Sequence, residues 1–147
     1  MWNRKRNDGH INVLIAEDRP HDQLLFLMAA DDCQSTTRVT FAGDGLHLLD
    51  APMAQLESER PNVIVLDLEA SRLGGYETLE AIRSNPQLTD VPVVVFASSS
   101  DPNEVRRSLD AGALQHVVKP STFAGLLNFL ESLSEISTAG VTEQQAA

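Results

Sequence analysis

The chain has 147 residues, 42% of them apolar, and sets 11 Lys and Arg against 21 Asp and Glu for a formal net charge of −10. That length has room for about one domain, and that composition is enough for a core. The acid excess excludes non-specific attachment to nucleic acid or anionic lipid, since both need a positive field that the short arm Arg4-Lys5-Arg6 cannot supply.

A single cysteine, Cys33, rules out an internal disulfide, and it does not combine with His10, His21, His47 or His116 at metal-ligand spacing. A cytoplasmic, reducing setting is therefore expected. The N-terminal charges have no apolar stretch behind them and the longest apolar runs are strand-length, so neither a signal peptide nor a membrane span is expected. Only two of the cations are lysines, Lys5 and Lys119.

In chain order, short β-branched apolar runs alternate with segments of helical period, the pattern of strand–helix units around a parallel sheet. After a polar arm at 1–10, strands are predicted at Ile11 to Ala16, Arg38 to Ala42, Val63 to Asp67, Pro92 to Ala97 and Gln115 to Val118. Five helices are predicted to start near Pro20, Gly45, Gly75, Pro102 and Thr122. Asp101-Pro102-Asn103-Glu104 supplies a cap, a first-turn proline and an acid three residues after the cap, and Ala111-Gly112 stops that helix. The expected architecture is α/β, a doubly wound five-stranded parallel sheet forming a single domain over 11–136, with a flexible tail at 137–147.

In such sheets ligands collect outside the carboxyl ends of the strands. The first strand here runs into Glu17-Asp18, the third ends on Asp67, and the fifth is followed by Lys119-Pro120. Carboxylates so close repel one another unless a cation lies between them, and oxygen ligands without His or Cys favour magnesium. Lys119 at the same edge suits a phosphoryl oxygen. Asp67 alone would read as a turn carboxylate capping local amides. Its company of Glu17, Asp18 and Lys119 gives it a chemical role.

These residues, with Gly75 and the Asp44-Gly45 turn, resemble the receiver domain of two-component response regulators over about Ile11 to Ile136. The resemblance implies a flavodoxin-like fold. It implies that Asp67 accepts a phosphoryl group from a sensor histidine kinase or a phosphotransfer protein. It further implies that Asp18 and Asp67 bind Mg2+ directly, with Mn2+ an alternative, that Glu17 acts through water, and that the Glu69 main-chain carbonyl completes the set. Lys119 would contact the phosphoryl group, and Lys119-Pro120 would be a cis peptide. The opening Glu17-Asp18-Arg19-Pro20-His21-Asp22 is similar to that of stand-alone receivers, some of them phytochrome-associated. Such a protein is a phosphoacceptor with no enzymatic activity on other substrates.

The chain departs from the family pattern in places. Ala97 stands where the family has a switch Ser or Thr, and Ser98 beside it could replace that hydroxyl only if the strand end twists or bulges. His116 stands at the switch aromatic, and Ala70-Ser71 and Glu69 follow Asp67 unusually. The departures leave open a phosphorylation-independent scaffold, whereas a small phosphohydrolase would lack a lid. Phe123, Leu126, Leu127, Leu130 and Leu133, widened by Phe129 and Ile136, make the last helix apolar over about half its circumference. Its outer edge, with the fourth helix around Arg106 and Arg107, is predicted to meet a second copy in a homodimer, unless the tail folds back over it.

Overall fold

The apolar runs that the sequence marks as strands form the centre of a sheet. The structure is a computed structural model that describes residues 11–33, 37–42, 60–69 and 74–146, the last ten by backbone alone. Its elements are β1 (Ile11–Ala16), α1 (Pro20–Asp32), β2 (Thr37–Phe41), β3 (Val63–Asp67), α2 (Gly75–Ser84), β4 (Val93–Ala97), α3 (Pro102–Asp110), β5 (Gln115–Val118) and α4 (Phe123–Ala146). All strand pairs are parallel, in the order β2-β1-β3-β4-β5. This is the flavodoxin-like doubly wound order, in which the chain direction across the sheet reverses beside β1.

Both faces of the sheet are covered, which explains why β3 and β4 are buried at every residue. Ile64, Leu66, Val93 and Val95 pack with Leu79 and Ile82 of α2 on one face. Val13, Ile15, Val63, Val65 and Phe96 pack on the other with Phe26 of α1 and with Phe129, Leu130 and Leu133 of α4. Phe96 is central there, its ring centroid 5.7 Å from Phe26 and 4.9 Å from Phe129.

Local signals mark the α3 boundaries as expected. Asp101 accepts a hydrogen bond from the Asn103 backbone N–H at 2.8 Å. Gly112 ends the helix with φ +109°, a conformation that L side chains rarely adopt. Gly75 is required by close approach, because a Cβ there would lie 2.8 Å from Leu68 Cα.

Several expectations are corrected. β2 starts and ends one residue earlier than predicted, and β4 begins at Val93, after the proline that lacks an N–H for the ladder. Four helices are described. The helix expected from about Gly45, the Asp44-Gly45 turn and Ala70-Ser71 lie outside the described residues. The last helix, expected from near Thr122, begins at Phe123 and runs to Ala146. Ser137 to Ala147 holds no proline, and its Ala, Glu and Gln favour helix. Phe129 is not part of an outer edge of α4, because it is turned inward onto Phe96. Among the described residues no helix is long and apolar enough to cross a membrane.

Leu130 is fully buried between α4 and the sheet, whereas Leu24 on α1 is 55% exposed. Leu130→Ala should lower the unfolding free energy by about 2–5 kcal/mol in urea titration. Leu24→Ala should change it by no more than about 0.5 kcal/mol.

Candidate functional site

Register determines which side chains meet beyond the strand ends. β1 pairs Ala16 with Leu66 of β3, β3 pairs Asp67 with Phe96 of β4, and β4 pairs Phe96 with Val117 of β5. Side chains alternate along a strand, and paired parallel residues face the same way. Glu17, Asp67, Ser98 and Lys119 therefore project to the same side as Ile15, Val65, Phe96 and Val117. The Lys119 backbone N–H donates to the Ala97 carbonyl at 2.8 Å and extends the β4–β5 pairing to the site.

At this edge Asp67 is 1% exposed and Glu17 2% exposed. The Glu69 backbone N–H donates to Asp67 Oδ1 at 2.9 Å, and the Lys119 ammonium lies 3.0 Å from Asp67 Oδ2. That second contact is an ion pair without hydrogen-bond alignment, so Oδ2 is a buried acceptor with no hydrogen-bond donor. The Arg19 backbone N–H donates to Glu17 Oε2 at 3.1 Å, and Gln23 Nε2 donates to the Glu17 carbonyl at 2.7 Å. These contacts tie α1 to the acidic edge.

Burial, followed by the neighbouring Asp67 carboxylate, raises the Glu17 pKa to about 7, against the opposing Arg19 N–H. Burial alone would lower the Lys119 pKa, but Asp67 and then Glu69 outweigh it and hold the ammonium above its ordinary value. The Ser98 hydroxyl, followed by Lys119, holds the Glu69 carboxyl below the usual range.

Glu69 reaches across the mouth of the site. Its Oε1 accepts from Ser98 Oγ and from the Ser98 backbone N–H at 3.3 Å, while Oε2 accepts from Lys119 Nζ at 3.2 Å. Behind it a cleft of about 240 Å³ passes from Lys119 and Arg19 to an apolar floor at Phe26, Phe96 and Leu126.

The chain bends at Ser98, just past β4, where the Ser98 hydroxyl meets Glu69, while Ala97 packs into the core on the opposite face. One expectation is corrected here: Lys119-Pro120 is trans. An X–Pro bond prefers trans by about 0.5–1 kcal/mol, and Lys119 meets both Ala97 and Asp67 in that form.

Asp18 is exposed, and among the described residues no three His, Cys, Asp or Glu side chains converge as a cation cage. The group that does converge, with the donor-less Asp67 Oδ2 against buried Glu17, still suits a hard cation bound by oxygen. His116 bridges two elements, with Nδ1 2.9 Å from Ser108 Oγ and Nε2 2.8 Å from the Ser99 carbonyl oxygen. Because a carbonyl can only accept, Nε2 carries a proton. Cys33 caps α1, and burial raises its thiol pKa above the ordinary value. Arg19 and Gln23 escaped sequence reasoning because their contacts to Glu17 follow from the seating of α1.

Known proteins place this edge in context. The chain is 34% identical over 116 residues to a protein-glutamate methylesterase/protein-glutamine glutaminase of Nitrosospira multiformis, covering 76% of this chain but only 30% of the relative. The phosphorylated cyanobacterial phytochrome response regulator RcpA is similar in structure, with a TM-score of 0.71 at 26% identity over 88% of this chain and 94% of that one. The Mn(2+)-bound form of response regulator Rcp1 gives 0.66 at 26% identity, over 84% and 91%. Residues 13–131 match the response regulator receiver domain, and with its acidic strand ends facing Lys119 across a flavodoxin-like sheet, the chain belongs to that family of two-component signalling domains.

Proposed function

We propose that this protein is a cytoplasmic response regulator receiver in which Asp67 accepts a phosphoryl group from the phosphohistidine of a sensor kinase or phosphotransfer protein. The observation that carries this reading is the buried Asp67 carboxylate, oriented by the Glu69 N–H and neutralised on one oxygen by Lys119. An Asp67 oxygen attacks phosphorus as the P–N bond of the donor breaks. The electron pair stays on the imidazole nitrogen, and the ring leaves neutral because its other nitrogen carries a proton. Such transfers need positioning and charge neutralisation more than acid–base help.

Glu17, Asp18, Asp67 and the Glu69 main-chain carbonyl would hold Mg2+, or Mn2+ in its place. A bound divalent ion supplies charge neutralisation to the phosphoryl oxygens. The chain's own residues do the rest: Lys119 offsets the charge on Asp67, and Ser98 offers a hydroxyl on the same face. The Ser98 hydroxyl beside Glu69 supports this reading over a phosphorylation-independent scaffold, since it offers a donor near the site where Ala97 has none. His116, held at both ring nitrogens, acts as a brace between β5, α3 and the loop after β4 in place of a rotating switch aromatic.

Incubation with Mg2+ and acetyl phosphate should add one phosphoryl mass to the intact protein, and Asp67→Asn should abolish the gain. No gain in the parent chain overturns the reading.

Free of metal, Glu17 keeps its proton to about pH 7 in the folded chain, against 4.5 as its ordinary value. The folded state binds more protons in that window, so stability is fully present below pH 4.5 and falls as pH rises through about 7. Thermal unfolding should show this decline, and Mg2+ should raise Tm more at pH 8 than at pH 5.5. Glu17→Gln should flatten the decline.

The homodimer proposed through α3 and the start of α4 draws on Leu109, Leu114 and Val118, which expose 46%, 36% and 43% of their surface around the edge strand β5, and on Phe123 at the start of α4, which exposes 38%. Sedimentation equilibrium at micromolar concentration should give twice the chain mass. One chain mass overturns the dimer.

A further inference from the structure

The Glu69 side chain spans the donors that an incoming anion would need. It is 40% exposed and yet held at both oxygens, by the hydroxyl and backbone N–H of Ser98 on one and by Lys119 on the other. A carboxylate and a phosphoryl group are both compact oxyanions that charge-assisted donors bind in the same way. Lys119 is 3.0 Å from Asp67 and 3.2 Å from Glu69, so one ammonium serves two carboxylates. Ser98 has only one hydroxyl proton to give.

We infer that Glu69 is an internal occupant of the anion subsite formed by Ser98 and Lys119, a gate that must swing out before a phosphoryl group on Asp67 can use those donors. The inference rests on the reading of Asp67 as phosphoacceptor and deepens it by identifying what the phosphoryl group displaces. Glu69 has room to move, because it stands at the mouth of a cleft open to solvent. Its departure costs its bonds to Ser98 and Lys119, and the arriving group recovers them. The gate thus slows phosphorylation while leaving the pocket ordered in the resting protein.

Occupancy and simple repulsion of an anionic donor predict different results for two variants. Glu69→Gln removes the charge, whereas Glu69→Asp keeps it but shortens the side chain by a methylene, too short to span Ser98 and Lys119 together. With Mg2+ and acetyl phosphate, followed by intact mass, both variants should gain the phosphoryl group about tenfold faster than the parent chain, equivalent to about 1.4 kcal/mol. A faster Gln variant with an Asp variant at the parental rate would mean repulsion alone and overturn the gate, as would parental rates in both.

The second readout does not need Asp67 chemistry. Inorganic phosphate, titrated against the full chain, should shift the Ser98 amide resonance in Glu69→Gln at concentrations that leave it unmoved in the parent. Equal shifts in the two overturn the inference. If no form gains mass but the Ser98 shift is confined to the variant, the phosphoacceptor reading fails and the anion subsite stands.

Discussion

Side chains along a strand alternate between its faces, and parallel neighbours in register turn paired residues the same way. Glu17, Asp67, Ser98 and Lys119 each stand two residues beyond a side chain of one core: Ile15, Val65, Phe96 and Val117. The packing of α1 and α4 against that face therefore also aligns the chemistry at its edge. A slip of one residue in any strand would exchange a site residue for its neighbour, as the pair Ala97 and Ser98 makes plain.

Charge balance at the edge follows from burial. Glu17 and Asp67 are almost fully enclosed, Glu69 stands at the mouth, and Lys119 is the cation that contacts both Asp67 and Glu69. Burial of Glu17 beside Asp67 favours its protonated form and raises its pKa to about 7. In a chain of net charge −10, nine of whose cations are arginines, Lys119 is the lysine that follows β5, and its compact ammonium lies between the Asp67 and Glu69 carboxylates.

Much of this was legible in the linear sequence because the signals are local. Strand-length runs of Val, Ile and Leu with acids at their ends identified β1 and β3, and Asp101 and Gly112 marked α3 through the chemistry of a cap and a left-handed residue. The contact of Ser98 with Glu69 was not legible, because the face of a residue just past a strand depends on its partner strand's register and on the bend of the chain there. Phe129 was misjudged for a similar reason: the arc a helix must bury depends on how deeply its neighbour lets it settle, and Phe96 accommodates Phe129. The reach of Glu69 to both Ser98 and Lys119 joins residues 29 and 50 positions away, beyond any local pattern.

The sequence by itself determined the strand–helix alternation, the doubly wound class, and the placing of Asp67, Glu17 and Lys119 at one edge of the sheet. Each follows from short-range rules of hydrophobic period, capping and charge at strand ends. Only the tertiary structure decided that Ser98 meets Glu69 while Ala97 packs into the core, that Asp18 stays exposed while Glu17 is enclosed, and that Glu69 rests on both Ser98 and Lys119. Those outcomes depend on strand register and on the seating of α1 and α4, which arise from contacts between residues far apart in the chain.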